Sequence, residues 1–219
     1  MRRRLNAQLL VMVSVFFLVG CGIFRDPPQA VNPCNCVVNQ ETVNSSILLN
    51  EQNTQLVAIA QSFTVPSAQA IDRVTLNIGN HGNDPNQLKV TVYANLASQN
   101  VPNLALVLGT SASVAVTPNS VNWVSFCWNA FCSGATVSLQ PNVIYWMAVS
   151  RNDGLNIVSP SQYFNVYGDG SGSYVGGQIK VLNQNALSNW VSYDGLNHLF
   201  TLFSLAFRIG CSTIGGGCG

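Results

Sequence analysis

The chain is poor in charged side chains. Only 8% of its 219 residues are Asp, Glu, Lys or Arg. Three of the nine basic residues stand at positions 2–4, which leaves six basic against eight acidic residues in the rest, a net charge of −2. No basic block therefore remains to attract nucleic acid, and a surface solvated by amides and hydroxyls is typical of an extracytoplasmic β-protein.

Recognisable catalytic motifs are also missing. The two histidines, His81 and His198, have no companion at metal-ligand spacing, and no Gly-x-Ser-x-Gly or His-Glu-x-x-His motif occurs. Most carboxylates lie in turn-forming contexts, although folding could still bring two of them together across a cleft. We therefore expect a protein that is not an enzyme, with a hydrolase as the least favoured alternative.

Sustained helical periodicity is absent too. Apolar and polar residues instead alternate with a period of two. In Val74-Thr75-Leu76-Asn77-Ile78 every second side chain is apolar, which is typical of a strand with one face in a core. We expect an all-β fold, a two-sheet antiparallel sandwich of the jelly-roll kind, over residues 55–219. The predicted strands are 55–65, 71–78, 88–94, 104–116, 122–128, 135–139, 144–150, 155–159, 163–167, 178–182, 190–193 and 199–209.

The N-terminus carries a basic and then an apolar segment. Residues 2–4 are arginines, residues 9–19 are mostly apolar, and Leu18-Val19-Gly20-Cys21 closes the run. The apolar stretch is too short for a membrane-spanning helix and has the parts of a secretory signal. Its end resembles the lipobox of bacterial lipoproteins. An ordinary signal peptide with a chance cysteine is the alternative.

The lipobox resemblance implies a location. It implies that residues 1–20 are removed, that Cys21 is lipidated, and that the lipid bilayer is a partner. Because Gly22 and not Asp follows Cys21, the resemblance favours the outer membrane. Residues 21–54, with prolines at 27, 28 and 33, are then expected to be a tether, although 37–53 could also form a short helix.

Six cysteines remain after Cys21, and an even number fits an oxidising compartment. Cys127 and Cys132 are close enough in sequence for a local disulfide. The other four are predicted to form two bridges that join Cys34 and Cys36 to Cys211 and Cys218. Which cysteine of the first pair bonds which of the second is left open. A metal site built from these four is the alternative, but their spacing is not that of a zinc site.

Several β-rich segments in order carry a second resemblance. Gln61-Ser62-Phe63-Thr64-Val65-Pro66, Leu88-Lys89-Val90-Thr91-Val92-Tyr93 and Ile144-Tyr145-Trp146-Met147-Ala148-Val149 are among them. Over residues 55–208 this order resembles secreted bacterial β-sandwich modules of the "choice-of-anchor" kind, which are similar to carbohydrate-binding jelly rolls. The resemblance implies a fold and, less directly, a binding function.

Aromatic side chains near turns are the candidates for binding. Sugar rings stack on aromatic faces, so exposed aromatics suit a glycan, although packing beneath loops is the alternative explanation. The disulfide loop is the preferred contact surface because it is pre-organised. The candidate ligand-binding residues are Trp128, Phe131, Tyr167, Tyr174, Trp190 and Tyr193.

No cofactor is expected, apart from the alternative of a structural calcium ion near Asp153, Asp169 and Asp194. The sequence thus predicts a lipid-anchored sandwich that binds a glycan or an envelope or surface protein. The second interpretation is a structural subunit of a cell-envelope assembly.

Overall fold

The computed structural model describes residues 38–49, 56–81, 87–129, 132, 135–152, 163–171, 174, 177–186, 189–193 and 203–210. All of the described residues belong to one compact unit. None of these residues forms a helix with the length and hydrophobicity needed to cross a bilayer. Gln184–Ala186 forms a three-residue 3-10 turn.

Strands make up most of the described chain. Sixteen are present among the described residues: β1 Val38–Gln40, β2 Ser45–Leu49, β3 Leu56–Phe63, β4 Gln69–Ile71, β5 Arg73–His81, β6 Gln87–Leu96, β7 Val101–Thr110, β8 Val114–Ala115, β9 Val121–Cys127, β10 Val137–Leu139, β11 Tyr145–Arg151, β12 Tyr163–Asp169, β13 Ile179–Asn183, β14 Val191–Ser192, β15 Ser204–Leu205 and β16 Phe207–Ile209.

Two seven-stranded antiparallel sheets pack together, which confirms the predicted sandwich. The first sheet runs β1-β16-β5-β12-β15, with β2 beside β12 and β9 beside β5. The second sheet runs β14-β13-β3-β11-β6-β7, with β8 beside β6. Strands β4 and β10 form a separate pair.

Alternating side chains explain why these strands form the two layers. Val74, Leu76 and Ile78 on β5 are buried, as are Val90 and Val92 on β6. These inward faces belong to one apolar cluster that draws on both sheets. Burial of such side chains contributes about 1.5–3 kcal/mol each, so the inner faces hold the layers together.

The segment predicted as a tether contributes two strands, so the expectation that the sandwich begins at residue 55 differs from the structure. Strand β1 pairs with β16, and β2 pairs with β12. Ile47 and Leu49 are buried in the core, and the Asn44 side chain donates to Asp169 Oδ1 over 2.8 Å. Short strands with few apolar residues give a weak sequence pattern. Their extended conformation depends on hydrogen bonding to neighbouring strands, which the local sequence does not show.

Candidate functional site

A cleft on the outer face of the second sheet is the strongest candidate site. This outer cleft has a volume of about 380 Å³, within the usual range for small-molecule sites. It crosses strands β13, β3, β11, β6 and β7 on the side facing away from the main core. Its lining residues are Ala58, Lys89, Thr91, Tyr93, Leu104, Val107, Thr110, Ala148, Ser150, Arg151, Leu182 and Trp190.

Small side chains make the floor of the outer cleft. Strand register places Ser150 of β11 between Ala58 of β3 and Lys89 of β6. One step along, Ala148 lies opposite Thr91. Because successive residues of a strand point to opposite faces, the small residues at alternate positions share the outer face and leave a depression between larger neighbours.

Larger side chains form the two walls. On the β13 side stand Leu182 and Trp190, and on the β7 side stand Leu104 and Val107. Leu104 is 44% exposed and Val107 is 49% exposed, so this wall presents apolar surface to solvent. The cleft therefore offers an apolar contact area with an aromatic edge.

Hydroxyl groups run along the β6 side of the floor. The Thr91 and Thr110 hydroxyls lie 3.3 Å apart across the two strands. Burial raises the pKa of the Tyr93 phenol, and its hydrogen bond with the Thr91 side chain partly offsets that rise. Tyr93 is therefore uncharged at neutral pH, and its hydroxyl is available to donate or accept.

Trp190 is the predicted candidate that lines this cleft. It is 7% exposed and belongs to a second apolar cluster with Ala58, Ala148 and Leu182. Its indole Nε1 is buried and has no hydrogen-bond partner among the described residues. Because this N–H is shielded from solvent, the ring of Trp190 is the part that the cleft offers to a ligand.

Tyr167, another predicted candidate, lies in a separate and smaller cleft. This amide cleft has a volume of about 300 Å³ and is lined by Gly79, Asn80, His81, Asn119, Ser120, Val121, Asn165 and Tyr167. The imidazole ring of His81 stacks on Tyr163 with 4.9 Å between ring centroids. Tyr167 is the only Phe, Tyr or Trp in the described lining of the amide cleft, whereas Tyr93 and Trp190 both line the outer cleft.

The disulfide between Cys127 and Cys132 is present, as predicted, with 4.8 Å between the Cα atoms. Within the loop it closes, Trp128 is half-buried and packs against the main core. The Trp128 Nε1 donates to the Ile71 carbonyl over 2.7 Å, and its backbone N–H donates to the Asp72 carbonyl. Packing and hydrogen bonding thus explain the position of the Trp128 side chain, and a binding role for it stays a prediction.

Tyr174 and Tyr193 pack against the main core. The Tyr174 ring meets Phe207 edge-on at 5.2 Å, and the Tyr193 ring lies 6.2 Å from that of Phe203. Burial raises the pKa of both phenols, and a backbone hydrogen bond from Thr64 partly offsets it at Tyr174. The structure therefore does not bring the predicted aromatics into one site.

Asp169 is held by polar neighbours. Its Oδ1 accepts from the Asn44 amide and from the backbone N–H and hydroxyl of Ser171, at 2.7–2.9 Å. Within the described ranges, no group of three or more metal-ligating side chains occurs.

Several residues that the sequence singled out lie outside the described part of the chain: Cys21, Cys34, Cys36, Phe131, Asp153, Asp194, His198, Cys211 and Cys218.

Comparison with known proteins gives no further guide, because the chain matches no protein-family model and no curated protein. Function has to be argued from the geometry of the outer cleft. A signal for this cleft was present in the sequence, since Ala58, Ala60 and Ser62 alternate with larger residues, as do Ala148 and Ser150. What the sequence does not contain is the register that sets these strands side by side.

Proposed function

We propose that this chain is a lipid-anchored, extracytoplasmic β-sandwich that binds a glycan in its outer cleft without catalysis. The observation that carries the proposal is the outer cleft itself, with its small-residue floor, aromatic edge and line of hydroxyls. The export signal ending at Cys21 and the Cys127–Cys132 disulfide support an extracytoplasmic location.

A sugar fits these features because its ring has an apolar face and an edge of hydroxyls. The apolar face suits Trp190 and the exposed wall of Leu104 and Val107. The hydroxyls suit Thr91 and Tyr93, which both donate and accept. Asp, Glu, His and Cys are absent from the described lining of the outer cleft, so the described lining offers no carboxylate pair for glycoside hydrolysis.

Screening a glycan array with the purified domain tests the glycan proposal. We expect reproducible binding that Trp190→Phe weakens, because this change removes part of the aromatic edge. Trp128→Phe is the matched control, since it is the same substitution at the disulfide loop and should leave binding unchanged. Loss of binding in Trp128→Phe with retention in Trp190→Phe would move the site to the disulfide loop.

Lipid attachment is tested separately by labelling cells with palmitate. The proposal expects label on the wild-type chain and its presence in the outer-membrane fraction. Cys21→Ser should abolish the label, since the thiol that carries the diacylglycerol is gone. Retained label in that variant, or a mature N-terminus elsewhere than residue 21, would contradict the anchor.

A second candidate function is that of a structural subunit in an envelope assembly. One observation favours it: β7 is the last strand of the second sheet and carries exposed Leu104, Leu106 and Val107. Such an edge can pair with a strand of another chain. Leu106, 51% exposed, does not line the outer cleft, so Leu106→Lys should disrupt such an assembly while leaving glycan binding intact.

A further inference from the structure

The charges that line the outer cleft are all of one sign. Lys89 and Arg151 line it, and its described lining contains no carboxylate. Lys89 is paired with Ser150 on the outer face, whereas Arg151 is the next residue of β11 and is paired with Leu88, which belongs to the main core. Lys89 therefore supplies the positive charge at one end of the cleft.

The two cations differ in how they face the cleft. Arg151 is 1% exposed and lies on the core face of β11, so its guanidinium is not presented to a ligand in the cleft. Lys89 is half-buried, and the ion pairs found among described residues, Arg73–Asp72 and Arg208–Glu41, do not involve it. A positive charge in a partly desolvated site attracts an anion more strongly than one in open water.

The remaining lining selects among anions. Apolar and aromatic contacts come from Trp190, Tyr93 and Leu104, and hydroxyls come from Thr91 and Thr110. Inorganic phosphate has no apolar face for the first group. A fatty acid has no hydroxyls for the second, and a neutral sugar has no charge for Lys89.

We propose that the outer cleft binds an acidic sugar, a uronate residue of a polysaccharide, with its carboxylate at Lys89 and its ring against Trp190. This inference rests on the proposed glycan-binding function and names the class of glycan. The carboxylate receives the charge-assisted hydrogen bond from the Lys89 ammonium. The Trp190 ring supplies the apolar surface against which the sugar ring stacks.

The experiment uses calorimetry with trigalacturonic acid and with its fully methyl-esterified form, which has the same ring but no charge. We expect the acid to bind about 10–100-fold more tightly than the ester, the range of a charge-assisted hydrogen bond. Lys89→Met should weaken binding of the acid by a similar factor and leave the weak binding of the ester unchanged. Lys89→Arg should restore most of the difference.

Lys180→Met is the matched control, because Lys180 is on the same sheet but bonds Ser192 and does not line the outer cleft. It should leave binding of the acid unchanged. Equal binding of acid and ester, or an equal loss in Lys180→Met, would overturn the inference while leaving glycan binding in place. Failure of every array glycan and of both trisaccharides would overturn the proposed function as well, and tighter binding of decanoate than of the acid would replace the sugar by a fatty acid.

Discussion

At the scale of single residues, Gln61 joins the two sheets. It is a fully buried polar residue on β3, facing the core between apolar neighbours. Its Oε1 accepts from the backbone N–H of Leu205 in the other sheet over 3.0 Å. Its Nε2 donates to the carbonyls of Ser62 and Gln178. A single amide thus satisfies backbone groups on both layers of the sandwich.

Replacing Gln61 by Leu should lower the free energy of unfolding by about 1–3 kcal/mol. The volume changes little, but the Leu205 N–H is left buried without an acceptor, which carries the full desolvation cost. Equilibrium unfolding in urea measures the change. Gln69→Leu is the control, because the Gln69 amide makes only an exposed bond to Ser67 and its loss should change stability by less than about 0.5 kcal/mol. A Gln61→Leu protein as stable as the control would contradict this role.

Residue-scale packing also accounts for the aromatic side chains of strands β9 and β11. Phe126 is buried and Trp123 carries the Arg208 guanidinium 4.2 Å above its ring, as alternation along β9 predicts. On β11 both Tyr145 and Trp146 are buried, one on each face of the sheet. Alternation in the sequence assigns side chains to two faces of a strand. It cannot show that side chains on the outer face of the second sheet, such as Trp146, are buried as well.

At the scale of elements, local pattern predicted several of the strands and not their partners. The predicted strands 71–78 and 144–150 correspond to β5 and β11 within a few residues. The outer cleft, in contrast, depends on Lys89, Ser150 and Ala58 lying side by side on three strands that are far apart in sequence. Those pairings follow from the packing of the whole sandwich, so no local pattern contains them.

The ladder between β1 and β16 carries a prediction about the remaining cysteines. Val38 is paired with Ile209 at the end of this ladder. Cys36 and Cys211 each stand two residues beyond those positions, at the same end. We expect a Cys36–Cys211 disulfide, which leaves Cys34 for Cys218.

Mass spectrometry of peptides from the unreduced protein, with fragmentation between Cys34 and Cys36, measures the connectivity. The bridge would close a loop of about 175 residues and contribute about 5 kcal/mol in the chain-entropy account, against about 2 kcal/mol for the short Cys127–Cys132 loop. Because a Cys34–Cys218 bridge would close nearly the same loop, both outer bridges have to be removed to open it. Replacing Cys34, Cys36, Cys211 and Cys218 together by Ser should therefore lower stability more than replacing Cys127 and Cys132 by Ser. A Cys36–Cys218 linkage would show that the ladder does not set the pairing.

At the scale of the whole molecule, strands β1 and β2 shorten the segment between the anchor and the sandwich. From Cys21 to Val38 an extended chain can span at most about 60 Å, whereas a tether reaching residue 54 would span about 120 Å. If Cys21 is lipidated as proposed, the sandwich is confined to half the distance from the membrane that the sequence had suggested. A glycan bound in the outer cleft would then belong to the layer next to that membrane.

The same two strands decide how short a chain can still fold. We expect a chain that begins at residue 34 to unfold cooperatively with the stability of the mature protein. A chain that begins at residue 55 loses buried Ile47 and Leu49, each worth about 1.5–3 kcal/mol, together with the ladders to β12 and β16. That loss is comparable to the whole stability of a typical domain, so the shorter chain should be unfolded or aggregated.

Thermal unfolding and the dispersion of amide NMR signals distinguish the two chains. Because the shorter chain also lacks Cys34 and Cys36, the control is the chain from residue 34 with both cysteines changed to Ala, which keeps the strands and loses the bridges. We expect this control to fold with a lower melting temperature, since β1 and β2 still cover their partners. A chain from residue 55 that folds as well as the control would mean that the two strands rest on a sandwich already complete without them, and the predicted boundary at residue 55 would stand.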